Sequence, residues 1–165
     1  MSKPVKVKVI NDSDLELPAY AHKGDAGIDL RADLTGGFNE LTADGAAWDD
    51  VSKCVRLFPG GRCLISTGIR VELPEGYELQ IRPRSGLALK NGITVLNSPG
   101  TLDCGYKNLI GVILINHSQT PFEIYHGDRI AQAVLNKVEQ IEWEPVTKLN
   151  DSERGLKGFG SSGVK

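Results

Sequence analysis

The sequence predicts an all-β chain folded as a jelly-roll-like β-barrel, with one short helix and a flexible C-terminal tail. Three observations predict it. Short β-rich runs recur along the chain, each closed by a turn signal. Glycine is in excess: the chain has 19, where ordinary usage of roughly 7% gives about 12, and turn-rich β folds use the surplus. Only Ser85–Asn91 (SGLALKN) has a helical look, with a serine to cap its start and Gly92 to end it.

Taken in order, Val5–Ile10 alternates valine with lysine and reads as an edge strand, its lysines guarding against stray pairing. Thr35–Asp50 (TGGFNELTADGAAWDD) is acidic and aperiodic, the composition of a surface insertion. Cys54–Phe58 stops at Pro59-Gly60-Gly61, Arg62–Leu73 at Pro74-Glu75-Gly76, and Tyr77–Arg82 at Pro83. After the helix, Ile93–Leu96 leads into a turn-rich hairpin, Val95–Gly105, built around Ser98-Pro99-Gly100. Leu109–Asn116, Phe122–Tyr125 and Ile130–Val138 complete the strands. The remainder, Asn150–Lys165, is polar and glycine-rich, with too little apolar surface to hold itself against the body. No repeat or second domain emerges. Residues 1–165 read as one domain, with an insertion at about 35–50 and a mobile tail at about 150–165.

Composition excludes several classes of function. The net charge of −2 gives no basic excess for duplex nucleic acid. No apolar stretch approaches the roughly 18–20 residues of a membrane span, and the lysine-rich start is no signal peptide. Cys54, Cys63 and Cys104 are odd in number and lack C-x-x-C spacing, which argues against structural zinc or a disulfide framework. A cytoplasmic protein is expected.

Five segments carry candidate chemistry. At Pro83-Arg84-Ser85-Gly86, a serine and a glycine at a helix start offer free N–H groups beside a cation. The pattern is a compact anion site or an ordinary N-cap beside a turn. Asp103 stands between glycines in Gly100-Thr101-Leu102-Asp103-Cys104-Gly105-Tyr106, where an acid closes an Asx-turn or orients and deprotonates a water. In Gly127-Asp128-Arg129-Ile130-Ala131-Gln132, Asp128 and Arg129 read as a plain ion pair. Gln132 shares a strand face with Ile130 and Val134 and needs a polar partner, a role a phosphate oxygen would fill. Arg154 to Gly163 supplies cations, Phe159 and two serines, and either stays a loose tail or orders on a ligand. Its Gly158–Gly163 stretch matches G-x-G-x-x-G, but no helix can follow it. Asp29, in Ala26-Gly27-Ile28-Asp29-Leu30-Arg31-Ala32, holds a metal-bound water, a neighbouring arginine, or a buried structural hydrogen bond.

In that order the five segments resemble the five motifs of the trimeric dUTP diphosphatases, over nearly the whole chain from about Val5 to Gly163. Lys107-Asn108 stands where the family commonly has Arg-Gly or Gln-Gly, Cys104-Gly105 fills a variable position, and the insertion is longer than usual. The resemblance implies a jelly-roll homotrimer with three shared active sites. One subunit gives Arg84 and Ser85, a second gives Asp103, and the tail of the third closes the site.

It further implies hydrolysis of dUTP to dUMP and pyrophosphate, with Asp103 driving water onto the α-phosphorus. Mg²⁺ is held mainly by the phosphates, with Asp29 touching it only through water. Ser85, the Gly86 N–H and Gln132 stabilise oxygens near the breaking bond, and Arg84 meets phosphate or braces the interface. Asn97 and the backbone of Thr101, Leu102 and Asp103 read uracil, while Tyr106 packs on the sugar and excludes a 2′-hydroxyl. Arg154, Ser161 and Ser162 clamp the γ-phosphate, Phe159 stacks on uracil, and Gly160 between them also binds substrate. Such activity keeps uracil out of DNA and supplies dUMP for dTMP synthesis. A dCTP deaminase, which shares the fold, needs a glutamate at the base, and Leu109–Asn116 (LIGVILIN) carries no carboxylate. A non-catalytic nucleotide-binding β module leaves Asp103 without a purpose.

Overall fold

A computed structural model describes residues 4–36, 43–152 and 155–156. Among them lie eleven strands and one helix: β1 Lys8–Asn11, β2 Ile28–Arg31, β3 Ala43–Asp49, β4 Cys54–Ser66, β5 Ile69–Glu72, β6 Tyr77–Arg82, α1 Ser85–Asn91, β7 Ile93–Val95, β8 Gly100–Leu102, β9 Gly111–Asn116, β10 Phe122–Tyr125 and β11 Arg129–Lys137. The expected all-β, jelly-roll architecture with one short helix is what forms. A four-stranded sheet runs β2-β11-β6-β8, and a five-stranded sheet runs β10-β4-β9-β7 with β3 on β4. Strands β1 and β5 make a third, two-stranded sheet. Among the described residues no helix is long and apolar enough to cross a membrane.

Period-two alternation drives this arrangement. In β9, Val112, Leu114 and Asn116 are buried while Gly111, Ile113 and Ile115 are only partly covered. The inner faces of both large sheets meet in one core: Leu30, Leu79, Ile81, Ala131 and Ala133 from one, Val55, Leu57, Ile65, Ile93, Val112 and Leu114 from the other. Each of the valines, leucines and isoleucines among them contributes about 1.5–3 kcal/mol on burial. All three cysteines are free, and burial pushes the Cys63 thiol up to about 12, so it is inert at neutral pH.

Several expectations need correction, among them the single run Arg62–Leu73, which divides into the end of β4 and β5. Strand β4 does not stop at Pro59-Gly60-Gly61 but runs through it. On that edge β10 pairs with Cys54–Leu57 and β9 with Arg62–Ser66, so the proline, which lacks an N–H, falls in the gap between two partners. The stretch Thr35–Asp50 is not all surface loop, because Ala43–Asp49 is β3, paired with β4. Its alternation is hidden by a bulge at Gly45 (φ 69°), against which Gly61 lies so close that a Cβ there would overlap the Gly45 carbonyl. Val95–Gly105 is no paired hairpin: β7 pairs with β9 and β8 with β6, so the segment arches from one sheet to the other. In α1 the N-cap is Arg84, without a side-chain cap, and Ser85 is the first helical residue. Gly92 (φ 67°) ends the helix by donating its N–H to the Ala88 carbonyl.

An ion network fastens β3 to the body. Arg56 Nη2 lies 2.9 Å from both Asp49 and Glu123, and the Tyr125 hydroxyl donates to Glu123 at 2.6 Å. The Ser52 amide, with Arg56 behind it, holds the Asp49 carboxyl below the usual range. The Tyr125 hydroxyl and Arg56 do the same for Glu123, and Glu123 in turn pushes Tyr125 up to about 12. A carboxyl depressed in the folded state stabilises above its unfolded pKa and loses that contribution as pH falls through the folded value. The urea midpoint should therefore drop more steeply from about pH 5 to about pH 3 in the wild type than in Glu123→Gln. Equal slopes in the two proteins would remove the network from the acid response.

Candidate active site

Two clusters of polar side chains stand on the four-stranded sheet, and β6 carries one at each end. At its C-terminal end, Arg84 Nε donates to Asp29 Oδ1 at 2.9 Å and Arg84 Nη1 to the Arg129 carbonyl at 3.0 Å. Arg129 Nη1 meets the other Asp29 oxygen at 3.2 Å. Asp29 thus takes the arginine reading left open by the sequence. Arg129 pairs with Asp29, not with Asp128, whose carboxylate instead accepts the Tyr125 N–H at 2.9 Å. Neighbouring strand residues point to opposite faces, the signal that disfavours a local Asp128–Arg129 pair.

Gln132 sits opposite Arg82 on one side and Asp29 on the other. Its amide donates to the Pro83 carbonyl at 2.9 Å, and its Oε1 occupies the space where a Cβ on Gly27 would lie. The partner that Gln132 requires is therefore a backbone carbonyl. Just beyond, the Ser85 hydroxyl and the N–H groups of Ser85 and Gly86 make no hydrogen bond to a described residue, as expected of a first helical turn.

Gly100 lies opposite Ile81, beside the C-terminal half of β6, and the arch from Val95 to Gly105 then runs toward the start of that strand. The arch builds a cavity of about 490 Å³, in the size range of small-molecule sites. Asn97, Thr101, Leu102 and Tyr106 line it above a floor that includes Ile81, Val95 and Ile110. The Asn97 carboxamide folds across the arch against Gly100, which has no Cβ to displace it. Asp103 follows the lining residue Leu102 without itself lining the cavity; it is exposed, and its carboxylate makes no hydrogen bond to a described residue. An Asx-turn is thus not its role: the turn is closed by the Tyr106 N–H on the Asp103 backbone carbonyl, at 3.0 Å.

The register separates the two clusters. Leu102 pairs with Leu79, which puts Asp103 level with Glu78. Arg84 lies six residues further along the same extended backbone, roughly 20 Å away at strand rise. One chain does not bring Asp103 to Arg84, Ser85, Gly86 or Gln132. Arg154, Phe159, Gly160, Ser161 and Ser162 lie outside the described residues. Among the described residues no group of three or more His, Cys, Asp or Glu side chains could hold a metal ion. Asp29, already shared by two guanidiniums, does not fit a protein-built metal cage.

The comparisons agree with one another. The family model described as dUTPase matches residues 43–163. The deoxyuridine 5'-triphosphate nucleotidohydrolase of Rhizobium rhizogenes (strain K84) is 48% identical over 158 residues, spanning 96% of this chain and 92% of the relative. The enzyme of the same name from Fusobacterium nucleatum is 44% identical over 161 residues, spanning 98% and 99%. Among solved structures, Staphylococcus bacteriophage 80alpha dUTPase with dUpNHpp has a TM-score of 0.77 at 26% identity, over 96% of this chain and 99% of the other.

Asp29 and Arg84 are partly buried, with 32% and 25% of their side chains exposed. Their pairing should appear as coupling of about 1 kcal/mol in an Asp29→Ala/Arg84→Ala double-mutant cycle followed by urea unfolding. Strictly additive losses would remove the pair as a brace of this end of β6.

Proposed function

This chain belongs to the dUTPase family of dUTP diphosphatases, and from that premise we propose that it cleaves dUTP by water attack on the α-phosphorus, releasing dUMP and pyrophosphate. Asp103 is the group that orients and deprotonates the water. The observation that carries this role is an exposed carboxylate left without a described partner, between Leu102 and Tyr106, which line a nucleoside-sized cavity. Uracil enters under the arch, where Asn97 and the backbone of Thr101, Leu102 and Asp103 meet its polar edge. Tyr106 walls off the 2′ position. A base with the wrong donor pattern leaves buried groups unpaired, which discriminates far more than one methyl, worth about 1–3 kcal/mol.

The phosphates lie at the far cluster, and it belongs to another copy. Ser85, the Gly86 N–H and Gln132 face oxygens near the breaking bond, which requires Asp103 within a few bonds of them. The length of β6 between the two clusters supports a site composed by two chains. Ile141, Trp143, Val146 and Leu149 support the same reading. They stand 56–82% exposed on a stretch without regular structure, an apolar run that a neighbouring subunit would cover. A homotrimer lets Arg154, Gly160, Ser161, Ser162 and Phe159 of a third tail close over the far phosphate and the base. A Mg²⁺ ion bound with the substrate would offset the triphosphate's charge, with no cage of described protein carboxylates to hold it. Asp29 reaches such an ion at most through water, because its oxygens already serve Arg84 and Arg129. The enzyme acts in the cytoplasm, limiting uracil in DNA and feeding dTMP synthesis.

Asp103→Asn should retain dUTP affinity within a few-fold while pyrophosphate release falls by about 10²–10⁴. Wild-type turnover in that variant refutes Asp103 as base. An equal mixture of Asp103→Asn and Ser85→Ala chains, unfolded and refolded together, should recover about a quarter of the wild-type rate, since a quarter of random interfaces join two intact halves. A mixture no more active than its components would sink the shared site.

A further inference from the structure

The loop that carries Asp103 is tied to itself by more bonds than an exposed turn requires. Beyond the Tyr106 N–H on the Asp103 carbonyl, Lys107 folds back and its Nζ donates to the Cys104 carbonyl at 2.6 Å. Asn108 Oδ1 accepts the Leu109 N–H at 2.8 Å, and the Leu109 carbonyl accepts the Tyr106 hydroxyl at 2.9 Å. Leu109 is therefore held at both its N–H and its C=O. The next residue is fixed to the body: Ile110 donates its N–H to Ile69, and its carbonyl accepts both the N–H and the hydroxyl of Thr67.

Neither Lys107 nor Asn108 is needed for packing. Both are exposed and neither belongs to the core. Their side chains are nonetheless spent on backbone groups of the loop, and an ammonium on a carbonyl is a charge-assisted bond, stronger than a neutral one.

We propose that Lys107 and Asn108 are positioning residues. Lys107 stiffens the turn on which Asp103 stands, and Asn108, by holding Leu109, fixes the carbonyl on which the Tyr106 hydroxyl rests. The inference rests on the reading of Asp103 as water-activating base and Tyr106 as the wall against the 2′ position. It assigns a purpose to the Lys107-Asn108 departure noted in the sequence. A loop ordered before substrate arrives loses less conformational freedom on binding, and it presents its reacting groups in place.

The test uses the full-length enzyme, with pyrophosphate release measured from dUTP and from UTP. Lys107→Met should lower kcat for dUTP about three- to tenfold with KM nearly unchanged, and Lys107→Arg, which keeps the charged donor, should recover most of it. Asn108→Ala should reduce the preference for dUTP over UTP in kcat/KM about three- to tenfold. The proposal is overturned if Lys107→Met keeps wild-type kcat, if Lys107→Arg falls as far as Lys107→Met, or if Asn108→Ala keeps the wild-type preference. Failure of the underlying reading shows itself separately, as an active Asp103→Asn.

Discussion

Backbone pairing of β6, with β11 along one edge and β8 along the other, sets where each reacting group can stand. The β11 register places Gln132 beside Arg82, and the β8 register places Leu102 beside Leu79. Those two alignments leave Arg84 and Ser85 beyond one end of the strand and Asp103 level with the other, with the arch spanning the length between them. Side-chain rotamers reach only a few ångströms, so no local adjustment closes a gap of roughly 20 Å. The separation of the two groups is thus set by backbone hydrogen bonds, and the proposed shared site rests on it.

Much of this was legible in the sequence because the strands alternate cleanly. Tyr77–Arg82 and Phe122–Tyr125 match their predicted bounds, and β9 and β11 shift by only one or two residues at their ends. The misreadings share a cause, which is that pairing partners are non-local. Pro59 reads as a stop unless one knows that β10 has ended and β9 has not begun. The alternation of Ala43–Asp49 is broken by the Gly45 bulge, whose reason is Gly61 on the facing strand. The arch from Val95 to Gly105 looks like a hairpin because its turn residues are those of one, and only the sheet partners reveal the crossing.

The site was legible as residue types and less so as contacts. Asn97, Thr101, Leu102 and Tyr106 do converge on one cavity. At the other end the charges sort differently from their spacing. Arg129 turns away from its chain neighbour and shares Asp29 with Arg84, so one carboxylate braces two guanidiniums from two other motifs with no ligand involved. This cluster is better understood as a frame than as a set of free anion receptors. Among the donors without a described partner, the Ser85 hydroxyl and the first N–H groups of α1 are small and neutral, and the outer N–H groups of Arg129 add a cation beside them.

Gly27 and Gln132 illustrate how the frame links distant parts of the chain. The glutamine oxygen fills the volume that any side chain at position 27 would need. The two positions therefore compete for one space and are not free to vary independently through descent. A bulkier residue at the first is tolerable only where the second has shortened or swung aside, and that exchange surrenders the amide resting on Pro83. The glycine of the first motif is thus explained by the glutamine of the fourth, a dependence that neither segment discloses when read alone.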